Sequence, residues 1–181
     1  MKNLVLVGFM GTGKSVLGRA AAERLGFRFF DTDEMVEAAD GRPIHRIFQE
    51  SGEGYFRDLE SAAVREASGY CGAVIATGGG ALGRPENVAA LKSTGVLVCL
   101  TARPEVILQR VSSQGVERPL LKCGNPSARI QSLLEERRSA YAQADAVVDT
   151  SDLTPDQALE CVIRAWRRAL ERPRETADGG A

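Results

Sequence analysis

Residues 8–15 read GFMGTGKS, fitting G-x-x-x-x-G-K-[ST], directly after the apolar run NLVLVG and at the start of a stretch with helical period. The context matters because this pattern works only as a strand–loop–helix unit. Its glycines let consecutive amide N–H groups curve around phosphate oxygens, and the helix start adds a partial positive charge. Lys14 then reaches the outer phosphates, and the Ser15 hydroxyl can ligate Mg²⁺. The unit therefore calls for an α/β fold and for a nucleoside triphosphate bound with magnesium. It leaves open whether the phosphate goes to water, a nucleotide, a protein or a metabolite.

The remaining chain continues the alternation. Short β-branched apolar runs predict five strands of a parallel sheet, at NLVLVG from Asn3, FRFFD from Phe27, AVIAT from Ala73, VLVCLT from Val96 and AVVDT from Ala146. Helical period predicts helices over Lys14–Leu25, Asp33–Ala39, Pro43–Ser51, Tyr55–Ser68, Pro85–Ser93, Pro104–Val111, Ser127–Tyr141 and Pro155–Leu170. Two excursions break the rhythm. Three short helices lie between the second and third strands, and residues 112–124, SSQGVERPLLKCG, form a loop rich in glycine, proline and charge. Excursions of this kind in small domains serve as lids or binding segments. One domain over residues 1–171 is expected, followed by a polar, disordered tail at 172–181.

Composition removes several alternatives. The 181 residues carry a formal net charge of −1, which supplies no global field for nucleic acid or an anionic membrane. No run approaches the ~20 apolar residues of a membrane span, and MKNLVLVGFMG contains no cleavable apolar segment, so a cytoplasmic protein is expected. Cys71, Cys99, Cys123 and Cys161 are widely spaced, and His45 is the one histidine, which argues against zinc and a disulfide framework.

Candidate residues for the acceptor follow from position and chemistry. Asp31 and Asp33 flank the carboxyl end of the second strand, where doubly wound folds bind ligands. One can turn toward the metal and the other toward an acceptor hydroxyl, although an Asp there can also simply cap the next helix. In GYFRDLE, Arg57 and Glu60 share a helix face, so the acid can hold a guanidinium that binds a carboxylate. Arg118 stands in the suspected lid, where it could close over transferring phosphate. Of the adjacent Arg137 and Arg138, about 100° apart on a helix, at most one can face the site.

The stretch ATGGGALG, residues 76–83, holds three consecutive glycines after a predicted strand. Glycine is kept where a backbone takes positive φ or must approach another group closely. A linker is excluded because the same domain continues beyond it.

Taken in order, NLVLVGFMGTGKS, FFDTD, GEGYFRDLE, ATGGGA, RPLL, RRSAY and VVDTSDLTP make the chain resemble the shikimate kinases over nearly its whole length. The resemblance implies a monomeric P-loop kinase of the nucleoside-monophosphate-kinase-like type, with a substrate-binding region at 32–61 and a lid at 112–124. It implies transfer of the γ-phosphate of ATP to the 3-hydroxyl of shikimate, on the route to chorismate and the aromatic amino acids. By the same resemblance Gly11, Thr12, Gly13, Lys14, Ser15 and Val16 cradle ATP, and Ser15 and Asp31 serve Mg²⁺. Asp33 binds the shikimate hydroxyls as the candidate base. Arg57 and Arg137 grip its carboxylate, Glu60 orients Arg57, and Gly78, Gly79 and Gly80 close over the substrate. Arg118 is the lid arginine and Arg110 lies near the nucleotide. Three departures stand out: Val16 replaces a hydroxyl residue, no basic residue follows the last strand, and RRSAY lacks a proline before Tyr141. The rival expectations are a kinase of another small hydroxylated acid, and a nucleotide-binding relative without activity.

Overall fold

Strand β1 (Asn3–Gly8) is buried along its entire length, which a strand achieves only in the middle of a sheet covered on both faces. The structure, a computed structural model describing residues 1–113 and 125–171, places it there. Strands β2 (Arg28–Asp31), β3 (Ala73–Ala76), β4 (Gly95–Thr101) and β5 (Ala146–Asp149) complete a five-stranded sheet in the order β2-β3-β1-β4-β5. All neighbouring pairs are parallel, with Leu4 opposite Val74 on one side and Val96 on the other. The connection leaving β1 runs to one side, to β2, whereas those leaving its neighbours β3 and β4 run to the other, so the carboxyl ends of β1, β3 and β4 frame a crevice.

Period-2 alternation decides which helix each residue meets. Leu4, Leu6, Val74, Val96, Val98 and Leu100 face α1 (Lys14–Leu25) and α8 (Pro155–Glu171). Val5, Val7, Ile75, Leu97 and Cys99 face the other way, onto Val64 and Ala67 of α3 (Ile44–Ser68) and Val88 and Leu91 of α4 (Pro85–Thr94). Smaller clusters lie at the crevice rim. One packs Phe9 with Ile107 and Val111 of α5 (Pro104–Ser113) and Ile130 and Leu133 of α6 (Pro126–Glu136). The other joins Val36 of α2 (Thr32–Asp40) to Ile47, Phe56 and Ala63 of α3.

The helices expected at Pro43–Ser51 and Tyr55–Ser68 are present as the two halves of α3, separated by a kink at Gly52, whose φ 81° and ψ 172° form a conformation essentially reserved for glycine. Other elements differ from expectation. The helix predicted over Ser127–Tyr141 is two: α6 ends at Glu136, and α7 (Arg138–Tyr141) restarts after Arg137, which sits at φ −99° and ψ 0°. A single 3₁₀ turn over Ala81–Gly83 follows the glycine triplet. At the opposite end of β1, buried Asn3 donates to the Tyr70 carbonyl at 2.7 Å and accepts from the Ala73 amide at 2.9 Å, satisfying backbone groups where the sheet begins.

Candidate active site

The phosphate loop leaves β1 with Gly11 at φ 75° and Gly13 at φ 98°, both in the left-handed region that a Cβ disfavours. Gly13 caps α1 without a side-chain bond, and the first turn of α1 holds no acid, which leaves that helix start electrostatically suited to an anion. The carbonyl of Phe9 accepts from Thr12 Oγ1 at 2.7 Å and from Lys14 Nζ at 2.8 Å. Thr12 is buried, and the side chain of Val16 is exposed.

Asp31 joins the loop to the next segment. Its Oδ2 accepts from Ser15 Oγ at 2.6 Å, and its Oδ1 accepts from the Asp33 amide at 3.0 Å. It therefore caps α2 and faces Ser15 at the same time. Thr32 Oγ1 accepts from the Gly78 amide at 3.0 Å, tying the end of β2 to the glycine triplet.

Each glycine of that triplet faces a different predicted acceptor residue. A Cβ on Gly78 would collide with the Glu60 carboxylate and fall 2.7 Å from Asp33 Oδ1. One on Gly79 would approach Arg137 Nη1 at 3.1 Å, and one on Gly80 would fall 2.6 Å from Arg57 Nη1. None of the three has positive φ, so close approach and not backbone conformation requires glycine here. Asp33, Arg57 and Arg137, which are distant in sequence, are thereby gathered along one stretch of backbone.

Arg57 is held by two acids. Nη1 donates to Glu60 Oε2 at 2.8 Å, while Nε and Nη2 donate to Glu53 Oε1 at 3.3 and 3.0 Å. Glu60 is 1 % exposed, and its Oε1 has no hydrogen-bond partner among the described residues. Burial pushes the Glu60 carboxyl above its ordinary value, against the opposing pull of Arg57 and, more weakly, Arg137 and Arg84. Burial lowers the proton affinity of Arg57, but Glu60 and Glu53 outweigh it, so the guanidinium remains firmly charged.

Arg137 stacks 5.5 Å over the Phe9 ring and donates to the Gly79 carbonyl at 3.2 Å, and no carboxylate among the described residues forms an ion pair with it. Arg138 points elsewhere, pairing at 3.2 Å with Glu135 on the exposed side. Tyr141 Oη donates to the same Gly79 carbonyl at 2.7 Å, and its burial pushes the phenol up to about 12, which keeps it a donor. Arg110 donates to Thr150 Oγ1 at 2.9 Å, to the Thr150 carbonyl at 2.7 Å and to the Gly11 carbonyl at 3.4 Å, bracing the phosphate loop from behind. Arg118 and residues 114–124 of the expected lid lie outside the described residues.

Four contributors were not anticipated. They are Tyr141 at the end of RRSAY, Glu53 in GEGYFRDLE, Thr150 at the end of AVVDT, and Arg84, which lines the cleft from beyond the 3₁₀ turn. That cleft, about 390 Å³, runs between Arg57, Gly79, Gly80, Arg84, Arg137 and Tyr141, a size and polarity suited to a small organic acid.

The family model for shikimate kinase matches residues 10–167. A shikimate kinase from Desulforudis audaxviator is 51% identical over 182 residues, covering 99% of this chain and 95% of the relative. One from Caldanaerobacter subterraneus subsp. tengcongensis is 49% identical over 166 residues, covering 92% and 96%. Among solved structures, shikimate kinase from Acinetobacter baumannii in complex with shikimate superposes with a TM-score of 0.85 at 34% identity, covering 94% of this chain and 93% of that one.

Proposed function

The chain belongs to the shikimate kinase family and is an ATP-dependent shikimate kinase, and we propose that it phosphorylates the 3-hydroxyl of shikimate with the residues gathered at this crevice. The hydroxyl oxygen bonds to the γ-phosphorus of ATP as the bond to the β,γ-bridging oxygen breaks, giving shikimate 3-phosphate and ADP. The product lies on the route to chorismate and the aromatic amino acids.

Gly11 to Val16 cradle the phosphates, with Lys14 on the outer ones and Arg110 behind the loop. A hydroxyl and a carboxylate 2.6 Å apart, on Ser15 and Asp31, are hard oxygen donors of the kind Mg²⁺ takes when phosphates and water complete its shell. The ion, when bound, neutralises charge on the phosphate oxygens. Arg57 and Arg137 grip the shikimate carboxylate and Glu60 fixes Arg57. Asp33 hydrogen-bonds the acceptor hydroxyl and is the candidate to receive its proton. Arg118, in a lid over 112–124, would add charge at the transferring phosphoryl group.

Residues 32–61 form the substrate-binding region of one domain spanning 1–171, with 172–181 as a tail. A monomer is what the family resemblance implies. A cytoplasmic protein without membrane or nucleic-acid partners is supported by the charge balance, and no helix among the described residues is long and apolar enough to cross a membrane.

The observation that carries this function is the register of Gly78, Gly79 and Gly80 against Asp33, Arg137 and Arg57. A coupled assay of ADP release over a panel of hydroxy acids tests it. ADP should appear only with shikimate and Mg²⁺, and Asp33→Asn should lose about 10²–10⁴-fold in kcat. Equal turnover with gluconate, or turnover without any acceptor, would overturn the assignment.

A further inference from the structure

Two glutamates share Arg57, and they differ in every respect that governs exchange. Glu60 is 1 % exposed and binds Nη1 from the sheet side, whereas Glu53 is 67 % exposed and spans Nε and Nη2 from the solvent side. The Nε/Nη2 edge is a bidentate fork suited to a carboxylate. It opens on the same cleft as Gly79, Gly80 and Arg137, and Glu53 stands on the wall of that cleft.

Geometry makes the arrangement incompatible with a second tenant. An incoming carboxylate needs the Nε and Nη2 donors that Glu53 holds, and repulsion between the two acids disfavours keeping both on one edge of Arg57. Exposed ion pairs of this type contribute little, so a better-placed carboxylate can replace Glu53. The backbone also permits withdrawal. Glu53 follows Gly52, the non-helical joint of α3, and begins the second helical half, whose positive end still favours its carboxylate after release.

We propose that Glu53 is an internal stand-in for the substrate carboxylate: it occupies the Nε/Nη2 edge of Arg57 and is displaced when shikimate binds, while Glu60 stays in place. This rests on the function proposed above, and it makes Glu53 a competitor whose removal strengthens binding.

Calorimetry of shikimate binding to the full chain tests it, comparing wild type with Glu53→Gln and with Glu135→Gln. Glu135 pairs with the exposed Arg138 at 3.2 Å, away from the cleft lining, and supplies a control for loss of one negative charge. Glu53→Gln should bind shikimate about two- to fivefold more tightly. Glu135→Gln should leave affinity unchanged, and the gain should vanish with the carboxamide of shikimate or in an Arg57→Lys background. Weaker or unchanged binding by Glu53→Gln, or equal tightening by Glu135→Gln, overturns the stand-in. Wild type that fails to bind shikimate at all overturns the proposed function instead.

Discussion

The Arg57 guanidinium occupies the space that a side chain on Gly80 would need, since a Cβ there would fall 2.6 Å from Nη1 and 2.7 Å from Nη2. The obstructed atoms are the end of a flexible side chain, so Gly80→Ala should fold and displace the guanidinium. A misplacement of this size costs about 10²-fold where geometry matters. We expect the shikimate KM of Gly80→Ala to rise by roughly that factor with the ATP KM unchanged. Gly79→Ala, where the nearest atom is 3.1 Å away, should impair shikimate binding less. Steady-state kinetics and a melting curve for both variants check the order.

Glu60 gives the site a pH dependence. Burial raises its carboxyl above the ordinary 4.5, so the native state holds a proton that the unfolded chain releases. Its contribution to stability is fully present below 4.5 and is lost as pH rises through the raised value. Function runs the other way, because the protonated acid no longer anchors Arg57 by charge. The shikimate KM should climb as pH falls through the raised value. Glu60→Gln should have a high shikimate KM without that acid limb, and its melting temperature should lose ground to wild type on the acid side. Paired KM and melting profiles across pH test both limbs.

Arg137 and Arg138 should separate cleanly. Hydrogen bonds to charged groups contribute about 1.5–3 kcal/mol, so Arg137→Ala should raise the shikimate KM about 10- to 100-fold. Arg138, exposed and paired with Glu135, should tolerate alanine with no change in either KM. Kinetics on the two variants under one set of conditions make the comparison.

Thr150 predicts a defect confined to the nucleotide side. Its hydroxyl lies 3.3 Å from the Thr12 carbonyl and 3.1 Å from the Thr101 carbonyl, and it receives Arg110. Thr150→Val keeps the volume and removes the hydroxyl's bonds to Arg110 and the Thr12 carbonyl, while the Thr101 carbonyl keeps the Thr150 amide, at a cost of about 1–3 kcal/mol. The ATP KM should rise and the shikimate KM should not, as measured by varying each substrate in turn.

The sheet was legible because buried parallel strands read as apolar runs: all five fall within a residue or two of expectation, though their order across the sheet is not encoded in periodicity. Arg57, Glu60 and Asp33 were legible because their spacing and position suit their chemistry. The break at Arg137 was not, since EERRSAY contains neither glycine nor proline and every residue tolerates helix. Glu53 was hidden for another reason. An i, i+4 acid beside an arginine looks like any solvated pair until the cleft around it is known. The glycine triplet was legible as a close approach, but which partner each glycine meets is a tertiary fact.

The joint at Gly52 has an evolutionary consequence. The buried residues of the α2–α3 cluster, Val36, Ile47, Phe56 and Ala63, are distinct from those buried against the sheet, while Val64 and Ala67 anchor the far end of α3 to it. Mutations within this cluster, on either side of the joint, can therefore reshape the acceptor end of the crevice while the sheet that carries the phosphate loop stays intact. A lineage could diverge in what it phosphorylates without first having to reinvent how it holds the phosphate donor.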